Sequence, residues 1–337
     1  MLDIFRNDAF GVVPLSLAIN NLKFVPGYLG KQGVFSERAV WATAVMIEER
    51  NFVLTLVPPS ARGGPGTTVT KPARTLRMLR VPHFEINDAI MAEEVQGVRP
   101  FGQETGTEAV MTKVGERMQM AGQSFEYTLE YARVGAIQGI VTYADGTTLN
   151  LFNEYGISPP TPFNFVLSAN PATGTIRSTC ADIIRKIGNA LDGVPFVGVD
   201  AVCGDNFFDA LITSAEVRAT YLATMDAMEL RKGYVDGGQS WGSFAFGGID
   251  WVNYRGYVGG TPMIGTDSAY FYPTGVQQLF PTFFAPADYI ETVNTMGLRR
   301  YVKQYPMPND KGINIDTQMN QLSMCSRPLC LQQGTHS

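Results

Sequence analysis

The strongest periodic signal along the chain is helical. Val110, Val114, Met118, Ala121, Phe125, Thr128 and Ala132 recur at spacings of three and four, which places them on one face of a helix. Thr105 followed by Glu108 is a capping-box pattern, and Gly135 offers a stop, so the spacing predicts a long helix over 105–134 with Gly122 as its weak point. Elsewhere the period is two. Phe52, Leu54 and Leu56 alternate ahead of Pro58-Pro59, and Arg74, Leu76, Met78 and Arg80 alternate against Thr75, Arg77, Leu79 and Val81. Such patterning predicts a long β-hairpin over 51–84 with a Gly-rich tip, Ser60 to Gly66. A hairpin of that length is not stable alone in water, so it needs a surface to lie on. A second hairpin is expected over 137–152, turning at Asp145-Gly146.

The flanking segments differ in texture. Residues 1–50 carry Pro26, Gly27, Gly30 and Gly33, too many breakers for a long helix, and read as an extended arm with connecting strands. After Pro159-Pro160-Thr161-Pro162 a domain boundary is expected. Ile176, Cys180, Ile183, Ile187 and Leu191 then predict an amphipathic helix closed by Gly193, and Phe196 to Val202 a buried strand. A further helix from Ser214 towards Gly233 follows, then strands over 249–258, 268–272 and 279–285, which together make a mixed α/β unit. The alternation of Tyr301, Val302 and Tyr305, and of Ile313, Ile315, Thr317 and Met319, predicts strands returning to the first half.

Composition narrows the function. The chain has 337 residues, of which 45% are apolar and 17% charged, with a net charge of −5. That charged fraction lies well below the ~25% of ordinary soluble domains, so the exterior is poorly defended against self-association. The acidic balance has the wrong sign for clamping nucleic acid by phosphate neutralisation. No stretch approaches a membrane span, and the acidic start Met1 to Asp8 does not look like a secretory leader. Cys180, Cys203, Cys325 and Cys330 read as structural thiols of a reducing compartment.

Candidate chemistry is sparse. There are two histidines: His83, beside Pro82 in extended backbone, reads as structural, and His336 lies too near the chain end to be held accurately. The glycine clusters lack the contexts of a P-loop or a dinucleotide fingerprint, and no G-x-S-x-G occurs. No residue is assigned a catalytic, cofactor-binding or metal-binding role. The acids Asp88, Glu93, Glu94 and Glu104 either serve hydrolysis or neutralise arginines of a neighbouring chain. Arg62, Arg74, Arg77 and Arg80 on the hairpin match acidic partner surfaces better than DNA.

A resemblance is carried by several ordered stretches. Arg80-Val81-Pro82-His83-Phe84-Glu85-Ile86-Asn87-Asp88-Ala89-Ile90 continues through Glu94-Val95-Gln96-Gly97-Val98-Arg99-Pro100-Phe101-Gly102. Asp3-Ile4-Phe5, Asp8-Ala9-Phe10, Ile47-Glu48-Glu49, Phe284 to Tyr289, Glu291 to Gly297 and Cys325-Ser326-Arg327-Pro328 add to it. Together they resemble the phage major capsid protein E family, across nearly the whole chain.

The resemblance implies an α+β, Hong Kong 97-like capsid fold. Residues 1–47 would be the N-terminal arm, 48–84 the extended loop, and 85–162 a peripheral domain with a spine helix over 105–134 and a strand hairpin over 140–152. Residues 163–285 would form the axial domain, and 286–337 strands completing the peripheral domain. It implies a non-enzymatic, cofactor-free major capsid protein of a tailed phage. Copies would join as hexamers and pentamers into an icosahedral virion head around double-stranded DNA, held non-specifically, with assembly in the host cytoplasm. Scaffolding, portal and decoration proteins are the further partners implied, with no membrane. Candidate inter-subunit contacts are Phe24, Arg62, Lys71, Arg74, Arg77, Arg80, Asp88, Glu93, Glu94 and Arg99. A nanocompartment shell on the same fold is the alternative, and a hydrolase using the acids near Asp88 a third reading.

Overall fold

The computed structural model describes residues 16, 27–50, 74–95, 106–167, 174–223 and 242–336. A short helix, α1 (Tyr28–Gln32), is entered from Gly27 and left through Gly33 in the left-handed region. After β1 (Ser36–Ala39), β2 (Ala44–Arg50) pairs antiparallel with β3 (Arg74–Arg80), Ala44 opposite Arg80 and Arg50 opposite Arg74. The hairpin base therefore starts earlier than residues 48–51. Its apolar run at Phe52 to Leu56 and its tip fall outside the described residues. It also ends before residue 84. Pro82 has no N–H to offer a ladder, and beyond it β4 (His83–Met91) turns to a different partner.

After the short α2 (Ala92–Val95) comes α3 (Gly106–Gln138), 33 residues and about 50 Å long. The Thr105 cap lies outside the described residues. Gly135 does not stop this helix. A Cβ there would sit 2.8 Å from Val141 Cα, so the glycine is where β5 (Ile140–Thr142) folds back onto the helix, and Gly139, at φ 83°, makes the turn. The strand β5 pairs with β6 (Thr148–Asn150) around Gly146, whose φ is 82°. Leu151, expected at the end of that strand, instead starts α4 (Leu151–Tyr155), because Asn150 Oδ1 accepts the Asn153 N–H at 3.2 Å as an N-cap.

The second half runs β7 (Phe163–Phe165), α5 (Thr175–Ala190), β8 (Gly198–Cys203), α6 (Asp205–Thr213), α7 (Ala215–Ala223), β9 (Ser243–Phe246), β10 (Ile249–Asn253) and the small hairpin β11 (Tyr257–Val258)/β12 (Thr261–Pro262). It continues with β13 (Ser268–Thr274), β14 (Pro281–Phe284), β15 (Tyr301–Pro306), β16 (Gly312–Ser323) and β17 (Gln332–His336). The face of α5 is as the spacing predicts, with Ile176, Cys180, Ile183 and Ile187 buried. The strand expected from Phe196 begins only at Gly198, and Val197 is 87% exposed. The helix after Ser214 is described as far as Ala223.

Two sheets organise these elements. A six-stranded sheet has the order β7-β17-β13-β8-β10-β9. A five-stranded one has the order β1-β14-β16-β15, with β4 on the other edge of the long β16. The chain crosses between them more often than a two-part division allows. The strand β14 leaves the α/β unit to pair with β16 and β1, while β17, expected to return to the first half, lies between β7 and β13. Gly334 lets β17 lie on aromatic rings, since a Cβ there would meet Phe165 and Phe271 at 3.0 Å. These rings, with Phe207 and the fully buried Trp251, form the aromatic centre of the core, Trp251 edge-on to Phe271 at 5.2 Å. His336, in β17, is held by its N–H to Asp267 O at 3.1 Å, contrary to the expectation for a chain end. The helix α3 packs Phe125 and Leu129 onto Phe284 and Met319 of the five-stranded sheet. All four cysteines are free and buried.

Candidate assembly surfaces

The hairpin base separates two faces. Val45 opposite Leu79 is buried in the core, whereas the next pair, Met46 opposite Met78, is 66% exposed on both strands. Ile47 opposite Arg77 faces inward again. Arg77 is tied down within its own chain. Its guanidinium donates to Glu154 O and, at 2.9 Å, to Tyr155 O, and lies 5.4 Å from the Tyr155 ring centre. It thus satisfies carbonyls at the C-terminus of α4, where the helix dipole favours a cation. Arg80 is exposed, and Arg74 aligns its backbone with Arg50. Phe24, Arg62, Lys71 and Arg99 lie outside the described residues, as does Glu104. Of residues 1–26 only Ser16 is described; it is buried on β15, its Oγ accepting the Val302 N–H at 3.1 Å.

A second surface lies along β4 and the first half of α3. Asp88 and Glu94 both converge on Arg117, at 3.5 and 3.3 Å. Asp88 Oδ1 also accepts the Ala89 N–H at 2.8 Å, and Lys113 donates to Glu94 O. These acids therefore meet an arginine of their own chain. Glu93 and Glu116 are exposed beside them, as are Met91 and Met120. Nearby His83 is a structural residue: Nδ1 is 2.7 Å from Asn320 Oδ1 across the β4–β16 ladder, and Nε2 is 3.2 Å from Glu85. Bonds from Asn87 and His83 hold the Glu85 carboxyl below its usual range.

A third surface gathers charge from three elements. Glu37 of β1 meets Arg133 of α3 at 2.7 Å and Arg299 at 2.9 Å, and Arg299 reaches Glu126 of α3 at 2.6 Å. Arg300 approaches Glu126 at 3.4 Å, and burial pulls its guanidinium down to about 10. Arg133, Arg300 and Glu126 are buried while Arg299 and Glu37 reach the surface. Next to this network, the Gly297 N–H donates to Val40 O at 2.9 Å, which brings Trp41, 66% exposed, beside exposed Met296 and Leu298. Gly297 is needed there, because a Cβ would collide with Phe284 O.

Sequence reasoning missed Trp41, Met46, Met78 and the arginine network. Alternation made Met78 and Leu79 face opposite ways but could not say which was inward. The partners of Arg299 lie more than 170 residues away in sequence.

The sequence model of a family described as phage major capsid protein E matches residues 11–336. The major capsid protein of Pseudomonas phage KPP10 is 26% identical over 329 residues, covering 91% of this chain and 92% of that one. The major capsid protein of Salmonella phage Felix O1 is 24% identical over 366 residues, covering 98% and 97%. Among solved structures, one described as a capsid protein of an Escherichia coli CFT073 prophage superposes with a TM-score of 0.61 at 13% identity, covering 97% of this chain and 99% of its own.

Proposed function

The chain belongs to the phage major capsid protein E family, and from that membership we propose that it builds the head of a tailed phage by associating as hexamers and pentamers into an icosahedral shell around double-stranded DNA. Its fold is the Hong Kong 97-like capsid fold. The observation that carries the reading is a family match running through nearly the whole chain. The outward Met46–Met78 pair agrees with it, because apolar side chains on a hairpin with a single covered face call for a neighbouring surface.

In this reading the residues before β2 are the arm and the β2–β3 hairpin is the base of the extended loop. The helix α3 is the spine of the peripheral domain. The six-stranded sheet, including β17, is the axial domain. Heterologous contacts that tolerate slightly different rotations allow closure at two ring sizes. The role is structural rather than catalytic. The acidic balance suits a container that must release its DNA, since a basic wall would hold it by counterion release. Scaffolding, portal and decoration proteins are the expected partners, with assembly in the host cytoplasm. No helix among the described residues is long and apolar enough to cross a membrane.

Sedimentation and electron microscopy of the purified protein test the reading. Closed shells of megadalton size are expected, and a stable monomer at high concentration overturns it. Particles from phage-producing cells carry nuclease-protected DNA on this reading; shells that never contain nucleic acid would instead mark a nanocompartment. Deleting residues 60–73 is expected to leave a folded chain that no longer closes shells.

A further inference from the structure

We propose that the cavity between α1 and the six-stranded sheet binds a divalent cation of the Ca²⁺ type, with Asp200 and Asp250 as its carboxylate ligands. The cavity measures about 310 Å³ and is walled by Gln32 and Gly33 at the end of α1, by Asp200 of β8, and by Thr274 and Phe280.

Strand register sets the two acids side by side. Asp200 and Asp250 are direct partners across the parallel β8–β10 pair, so both side chains leave the same face of the sheet, from backbones about 5 Å apart. Asp250 is exposed and Asp200 half-buried, so the pair leads from solvent towards the cavity. Like charges set opposite one another in a ladder repel. Burial and the charge of Asp250 act on the Asp200 carboxyl, and no cationic side chain among the described residues offsets them. Lys31, in the last turn of α1, is exposed, and Arg133 is committed to Glu37. Two acids held together without a basic partner leave the counter-charge to a ligand.

Tyr272 of β13 points to the same place. It is the direct partner of Asp200 on the other side of β8, so its side chain stands on the same face. The residue is fully buried, yet its hydroxyl has no hydrogen-bond partner among the described residues. Its ring meets Phe280, in the cavity wall, edge-on at 6.0 Å. Burial, the Tyr28 phenol and Asp200 push the Tyr272 hydroxyl up, and burial followed by Asp200 pushes Tyr28 up to about 12. Both phenol oxygens therefore lie in the field of the acid pair. A buried oxygen without a partner costs free energy that a bound ion recovers.

Neutral oxygens supply the remaining ligands. Gln32 Nε2 donates to the Tyr28 hydroxyl at 3.3 Å, which leaves Gln32 Oε1 for the cation, and Thr274 adds a hydroxyl to the wall. No three acidic, histidine or cysteine side chains among the described residues form a metal cluster, so carbonyl, hydroxyl and water oxygens must complete the shell. Ca²⁺ accepts such irregular oxygen sets, whereas Mg²⁺ demands a near-octahedral one and zinc takes nitrogen and sulfur. A cation held here ties α1 to β8 and β13.

Thermal melting of the full-length, unassembled protein at pH 7.5 tests this, after dialysis against a chelator. CaCl₂ is expected to raise the midpoint saturably, by about 4 °C at a hundredfold excess over its dissociation constant. Asp200→Asn removes one ligand charge and is expected to abolish the rise. Asp250→Asn, at an exposed position where folding is not at stake, is expected to do the same. No rise at all would overturn the proposal, as would a rise that NaCl of equal ionic strength reproduces or one that persists undiminished in both variants. An equal response to MgCl₂ would overturn the assignment to Ca²⁺. None of these results bears on the capsid reading.

Discussion

Glu130 of α3 accepts the backbone N–H of Leu29 at 2.8 Å, across 101 residues of sequence, and that of Gly30 at 3.3 Å. Its carboxylate caps the free N-terminal donors of α1, and the Tyr254 hydroxyl donates to it at 3.3 Å. Burial pushes the Glu130 carboxyl up, and the bonds from Leu29 and Gly30 and the charge of Arg133 partly offset this. Gly27 leaves the space, since a Cβ there would run into the Glu130 side chain. Glu130→Ala orphans buried donors and is expected to destabilise the chain by about 2 kcal/mol. Urea denaturation of the unassembled protein measures it; a loss under about 0.5 kcal/mol would mean the cap is dispensable.

Gly135 separates two readings by sign. Helix propensity alone says that Gly135→Ala stabilises by about 1 kcal/mol. The close approach of Val141 says the reverse, because a Cβ at 2.8 Å from a backbone carbon forces β5 off the helix. A loss of about 1–3 kcal/mol is expected, of the order seen for overpacked cores. Thermal melting decides, and a raised midpoint would refute the packing argument.

The outward face of the hairpin can be changed without touching the core. Met46→Lys or Met78→Lys alters a side chain 66% exposed, so unfolding stability should move by less than about 0.5 kcal/mol. On the proposed shell reading assembly should suffer, because a charge would then enter a contact between copies. Shell yield by sedimentation is the measurement, and unimpaired assembly would remove this face from the interface.

Asp200 of β8 stands opposite Asp250 of β10 in parallel register. Burial first, and then the Asp250 charge, push its carboxyl up to about 6. An acid whose folded value is raised is more stable protonated. The native state is therefore favoured below the unfolded value near 4 and loses that advantage as pH rises through about 6. Asp200→Asn is expected to gain about 1 kcal/mol at pH 7.5, after allowance for solvent screening, and to show little gain near pH 4. A gain independent of pH would exclude the carboxylate as its source.

Elements whose cause is local were legible in the sequence. The spacing of Val114, Met118, Ala121 and Phe125 announced α3, and all four are buried. The α5 stripe and the Asp145-Gly146 turn were legible for the same reason. Boundaries were misread where a non-local contact set them: Gly135 looked like a stop because its partner, Val141, becomes visible only once the chain has folded back. The candidate contacts were harder still. Arg77 looked available until the end of α4 arrived beside it, and Asp88 and Glu94 until Arg117 did.

By itself, the order of residues determined periodicity, turn chemistry, the shortage of charge and the family pattern, because each depends on neighbours a few positions away or on counts over the whole chain. The tertiary structure alone decided which face of the hairpin looks outward, which sheet receives β17, and which charges already have partners. Those outcomes depend on groups brought together from distant parts of the chain, as Glu37, Glu126 and Arg299 are. Burial and pairing are properties of that meeting, and no local pattern carries them.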